Sequence, residues 1–197
     1  MSLFQNIIII ALLIAGAGFL SLTEIALAGA RKVKLKILAE AGDERAQKVL
    51  DLQENSADFF AASQIGLNAV AILGGILGEG AFRPYFLSFV SRFYTGPWAE
   101  SISFALSFTL VTSLFILFAD LMPKRLAMIA PEKISIAVIN PIQVFIKVCK
   151  PLAWIINTLA NLLFRLFKVN TIRDDNITFD DISAVMDAGA QAGVLLK

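Results

Sequence analysis

Three stretches of an otherwise apolar chain carry side chains able to hold a cation. In FLSLTEIALAG, Ser21, Thr23 and Glu24 put hydroxyls and a carboxylate within about one helical turn. In ASQIGLNAVAILGG, Ser63, Gln64 and Asn68 stand among aliphatic residues, with Gly66 between them. In ILFADLMPKR, Asp120 precedes Pro123 and Lys124. An ionisable group inside an apolar span costs about 3 kcal/mol to insert and marks a functional candidate. The donors are all hard oxygens, which suit Mg²⁺ or an ammonium group and disfavour soft metals.

Each stretch also has a plainer reading. Glu24 can snorkel to Arg31 or Lys32 while Ser21 and Thr23 bond back to helix carbonyls. Gln64 and Asn68 can tie helices together, and the glycines 74, 75, 78 and 80 thin a helix for packing. Asp120 can pair with Lys124 at ordinary i,i+4 spacing. Pro123, lacking an N–H, frees the carbonyl of Ala119 to line a cavity.

These groups sit in elements set by the bilayer. The sequence has 197 residues and is 57% hydrophobic, above the ~45–50% apolar usage of soluble domains. Apolar runs predict transmembrane helices over about 3–30, 57–80 and 100–122, since ~20 apolar residues cross the hydrocarbon core. Arg31, Lys32, Lys34 and Lys36 follow the first run, and Lys124 and Arg125 follow the third. Positive charge favours the cytoplasmic side, so the N-terminus is expected outside and the C-terminus in the cytoplasm. Residues 31–54 read as an amphipathic hairpin broken near Ala41-Gly42, while Arg83, Pro84 and Arg92 read as an outer loop.

The stretch 131–168 is apolar too, but Lys147 and Lys150 cut it into pieces shorter than a span, and Pro141 and Pro151 break it further. Short amphipathic or re-entrant juxtamembrane helices are expected there. Residues 173–197 turn polar and acidic and read as a cytoplasmic linker, with Thr178 capping a helix that begins a further cytoplasmic region. The expectation is therefore an all-α integral membrane protein of three transmembrane helices with a cytoplasmic juxtamembrane belt.

Enzyme chemistry is not expected. The chain has no histidine and a single cysteine, Cys149, so no intramolecular disulfide can form, a zinc site is not expected, and no nucleophile stands beside a base. A nucleic-acid partner is not expected either.

The segments FLSLTEIALAGARK, QIGLNAVAILGGILGE and ILFADLMPKRLAMIAPE resemble, in order and spacing, the signature regions of the CNNM/CorC transmembrane domain. The resemblance covers about 1–172. It implies a homodimer in the bacterial inner membrane, a cytoplasmic belt, and nucleotide-binding CBS domains following the membrane part. It also implies cation export, mostly of Mg²⁺, through a pocket that falls on Ser21 with Thr23, on Gly66 with Asn68, and on Asp120. Ser21, Asn68 and Asp120 would be the Mg²⁺ ligands, and Glu24 and Ser63 complete the candidate cation-binding set. The sequence departs from the family pattern in having Thr23 for a second serine, Leu67 for an asparagine and Asp120 for a glutamate. Those departures loosen a cage that Mg²⁺ needs near-octahedral. The combination IGLNAVAILGG with FADLMPKR is most similar to the polyamine-exporting branch, whose cargo is putrescine and cadaverine. Polyamine export is therefore slightly preferred to Mg²⁺ export, with a non-transporting regulatory membrane protein as the remaining alternative.

Overall fold

The bilayer leaves backbone groups only one another to bond to, and long apolar runs meet that demand as helices. In the computed structural model, which describes residues 3–167, every regular element is helical. They are α1 (Leu3–Gly29), α2 (Lys32–Glu40), α3 (Glu44–Glu54), α4 (Ala57–Val90), α5 (Ala99–Leu114), α6 (Met122–Ile129) and α7 (Pro131–Leu166). A π-helical segment, Phe115–Leu121, joins α5 to α6 without interruption. Residues 173–197, including Thr178, lie outside the described residues.

Four helical stretches are long and apolar enough to cross a membrane: Phe4–Gly29, Ala57–Val90, Ala99–Ile129 and Pro131–Ala160. The chain is thus a multi-pass, all-helical membrane protein. The fourth stretch departs from the sequence expectation, because 131–166 is one continuous helix rather than short pieces. Pro141 and Pro151 each remove a single hydrogen bond, and the flanking turns carry the helix through. Lys150 does not interrupt it either, since its ammonium reaches out to Asp58 at 3.8 Å.

The second departure is at the end of α4, which continues to Val90 with Arg83 and Pro84 inside it rather than in a loop. The hydrogen bond lost at Pro84 is offset nearby: Arg83 pairs with Glu79 one turn back at 3.7 Å and with Glu100 on α5 at 3.5 Å. Of the three residues assigned to the outer loop, Arg92 alone follows the helix.

Helix α1 packs against α4, α6 and the π segment, and α4 packs against α5. Small residues set the α4–α5 distance. An added Cβ at Gly74 would collide with the Phe115 ring, and one at Gly78 with Val111. Ser103 and Ser107 are buried on α5 and return their hydroxyls to Ala99 and Ser103 carbonyls, leaving an apolar contact face.

At one end of the bundle α2 and α3 form a hairpin. Gly42, at φ +99°, follows the last turn of α2; its N–H bonds Ala39 O and that of Asp43 bonds Leu38 O, the paired bonds of a Schellman cap. Asp43 then caps α3, accepting from Arg45 N at 3.0 Å, and its side chain pairs with Arg45. Leu35, Val49, Leu50, Phe59, Ile136, Ile139 and Ile142 form one apolar cluster with Leu20 and Leu27, so the hairpin, α7 and the ends of α1 and α4 share a core.

The Arg45 side chain holds the Asp43 carboxyl below its ordinary value. A lowered carboxylate contributes stability above its unfolded value of about 3.9 and loses it as pH falls through its lower folded value. Asp43→Ala is therefore expected to lower the thermal unfolding midpoint at neutral pH, and by less below pH 3. Equal midpoints for wild type and variant at neutral pH would contradict the cap.

Candidate functional site

The site grows from the join between α5 and α6. In the π segment the Met122 N–H bonds Leu117 O, five residues back. In that register the next acceptor is Phe118 O, and Pro123 has no N–H to give it. Counted by α-helical turns, the carbonyl left without this donor is that of Ala119; in the π register it is that of Phe118. It faces α1 at Gly18, where an added Cβ would lie 3.2 Å from Phe118 O and 3.2 Å from Pro123 Cγ. Glycine there lets α1 come close to this stretch of backbone. Single π turns of this kind are common at functional sites.

Asp120 is on this segment and meets α1 at Ser21. Ser21 is fully buried and donates its hydroxyl to Asp120 Oδ1 at 3.0 Å. Lys124 donates its ammonium to the same oxygen at 2.6 Å. Both contacts use Oδ1, leaving Oδ2 to accept from a ligand. Beside this carboxylate a cavity of about 280 Å³ is lined by Ala17, Leu67, Asn68, Ala71, Phe115, Ile116, Ala119 and Asp120.

Ser21 is thus joined directly to Asp120, and Asn68 lines the same cavity as Asp120. The other sequence candidates are placed differently. Thr23 is buried and donates to Phe19 O at 2.7 Å, the back-bonded reading. Gly66 turns its Cα to Leu20 and Phe145, where a Cβ would collide with both side chains, so it serves close packing. Ser63 is fully buried and its Oγ has no partner among the described residues.

Glu24 is approached by Gln64 Nε2 at 3.5 Å. Arg31 and Lys32 do not pair with it. Past Gly29 the chain leaves the helix, with Arg31 extended at φ −77° and ψ 121°, and Arg31 and Lys34 both turn to Glu132, at 4.0 and 3.3 Å. Among the described residues no three His, Cys, Asp or Glu side chains converge on one point.

Spacing arguments missed two features of the site. The π register has no compositional signal, so nothing in the sequence marked Gly18. The cavity wall of Ala17, Phe115 and Ile116 is apolar and looked like ordinary span.

The profile of a protein family described as the cyclin M transmembrane N-terminal domain matches residues 7–197. The polyamine export protein of Escherichia coli K12 is 54% identical over 195 residues, covering 99% of this chain and 44% of that protein. The polyamine export protein of Haemophilus influenzae is 47% identical over 195 residues, covering 99% and 45% respectively. A UPF0053 protein of Synechocystis is 30% identical over 179 residues, covering 90% and 40%. The chain spans less than half the length of these curated relatives.

Proposed function

Because the chain belongs to the cyclin M transmembrane N-terminal domain family, we propose that it is the membrane part of a small-cation exporter and that its cargo is a polyamine. The observation that carries the substrate is the state of Asp120. Its carboxylate already holds a primary alkylammonium, that of Lys124, together with the Ser21 hydroxyl. A polyamine end group has the same chemistry as a lysine side chain, so it can take that place without a change in the number or type of donors. Mg²⁺ would instead need a near-octahedral shell at close range. The names of the relatives at 54% and 47% identity point the same way.

The membrane arrangement we adopt has three crossings, α1, α4 and the run from α5 to α6, with α7 in the cytoplasmic belt. Its support is the path of α7. Ile136, Ile139 and Ile142 are buried in the same cluster as the α2–α3 hairpin. Further along, Phe145 meets Gly66, while Lys150 pairs with Asp58 nearer the start of α4. Lys147 and Lys150 within α7 would also be costly at the depth of a crossing. The basic residues of α2 and α6 support a cytoplasmic location for that end of the bundle, in a bacterial inner membrane. The outward face of α4, with Ile72, Leu73 and Ile76 exposed and Gly75 and Gly80 unobstructed, is left for lipid or a second copy of a homodimer. Nucleotide control through CBS domains is part of the same proposal, for the whole protein rather than for the described helices.

The test is flux in liposomes reconstituted with the purified protein, with putrescine and Mg²⁺ offered separately and in competition. Putrescine flux without Mg²⁺ flux is expected. Mg²⁺ flux alone would transfer the site to the metal. Flux of neither would leave the polar residues as helix ties in a regulatory protein.

A further inference from the structure

The faces that meet at the cavity carry a second acid. On α1, Ala17, Ser21 and Glu24 recur at helical spacing along one stripe, and on α4 Gln64, Asn68 and Ala71 do the same. The stripes face each other running in opposite directions. Ala17 and Ala71 meet across the cavity, and Glu24 meets Gln64 nearer the basic end of the bundle. Ser21, lying between Ala17 and Glu24, donates to Asp120. Three residues of helix rise about 4.5 Å, so Glu24 stands about one turn from the Ser21–Asp120 bond. Among the described residues no basic side chain pairs with Glu24, although Asp120 has Lys124. Its one contact, with Gln64 at 3.5 Å, is at the long limit of a hydrogen bond and open to replacement by a stronger donor.

We propose that Glu24, with Gln64, is a second ammonium subsite, so that the track from Glu24 to Asp120 grips a short α,ω-diammonium at both ends. The inference rests on the reading of the chain as an amine exporter and adds what that reading lacks, a reason to choose diamines. A diamine bound at Asp120 alone would leave its far ammonium among apolar side chains without a counter-charge, which is strongly unfavourable. A carboxylate one turn away supplies that counter-charge, and the Gln64 amide oxygen accepts a further N–H. A monoamine such as butylamine satisfies one acid and leaves the other empty. The separation between Glu24 on α1 and Asp120 on the π segment also sets a length preference that no single carboxylate can impose.

The experiment compares putrescine and butylamine affinities, by calorimetry on the detergent-solubilised protein, for wild type, Glu24→Gln and Glu24→Asp. Charged hydrogen bonds at the second end are worth about tenfold or more in affinity. Wild type is expected to prefer putrescine by at least that factor. Glu24→Gln should lose the preference through weaker putrescine binding with butylamine unchanged, and Glu24→Asp should restore part of it. Unchanged butylamine binding also shows that the variant is folded. A Glu24→Gln protein that keeps the preference, one that loses both amines equally while Glu24→Asp retains both, or a wild type without any preference overturns the second subsite and leaves amine export standing. A wild type that binds neither amine overturns the export reading, and this inference falls with it.

Discussion

Asp120→Asn is expected to reduce putrescine flux by about a hundredfold while leaving the folded protein almost as stable as wild type. The two effects separate because the substitution is nearly isosteric. Asparagine keeps an oxygen for the Ser21 hydroxyl, so the bond between α1 and the π segment survives. The ammonium loses a full negative charge, and hydrogen bonds to charged groups contribute about 1.5–3 kcal/mol, or roughly ten- to a hundredfold or more. The stability cost is smaller because the Lys124–Asp120 pair is an i,i+4 pair with both side chains partly exposed, worth a few tenths of a kcal/mol. Lys124 can also swing to solvent when released. Lys124→Gln should move affinity the other way, with a lower KM for putrescine, because the substrate no longer displaces a tethered ammonium. Liposome flux and thermal unfolding in detergent measure both sides. An Asp120→Asn protein that transports at the wild-type rate would remove Asp120 from the pathway.

Which parts of this site could be read from sequence follows from how polarity is distributed. Ser21 and Asp120 stand out because an intramembrane acid and its donors have few reasons to be there, and the structure joins them directly. The membrane class and the helices were legible for a similar reason: a run of about 20 apolar residues has few alternatives to a spanning helix. What escaped depends on register and reach. Counting α-helical turns back from Pro123 named the Ala119 carbonyl, whereas the π register names Phe118 and makes Gly18 its contact. Glu24 was matched to the nearest bases in sequence, yet the chain turns at Arg31 and sends that charge to Glu132. In α7, lysines and prolines looked like breaks because their cost was counted one residue at a time. A helix of 36 residues tolerates two missing bonds, and a lysine stem reaches past its own turn.

Gly74→Val should be the most damaging change outside the polar residues, while the same change one position on should be nearly silent. A Cβ at Gly74 enters the space of the Phe115 ring, and because the ring's backbone belongs to the π segment, relief requires the ring to swing into the cavity it lines or to push that segment aside. Overpacking a close contact costs about 1–3 kcal/mol. The strain also has a direction, since pushing Phe115 away from α4 moves the segment that holds Asp120 against Ser21. Stability and transport should therefore fall together, in contrast to Asp120→Asn. Gly75 meets nothing within 4 Å, so Gly75→Val is expected to stay within about 0.5 kcal/mol of wild type. Thermal unfolding and putrescine flux of the two variants, measured in parallel, compare a packed glycine with an open one on the same helix. If Gly75→Val is the destabilised protein and Gly74→Val is not, then Phe115 yields easily and the open face of α4 is itself an interface with a second copy.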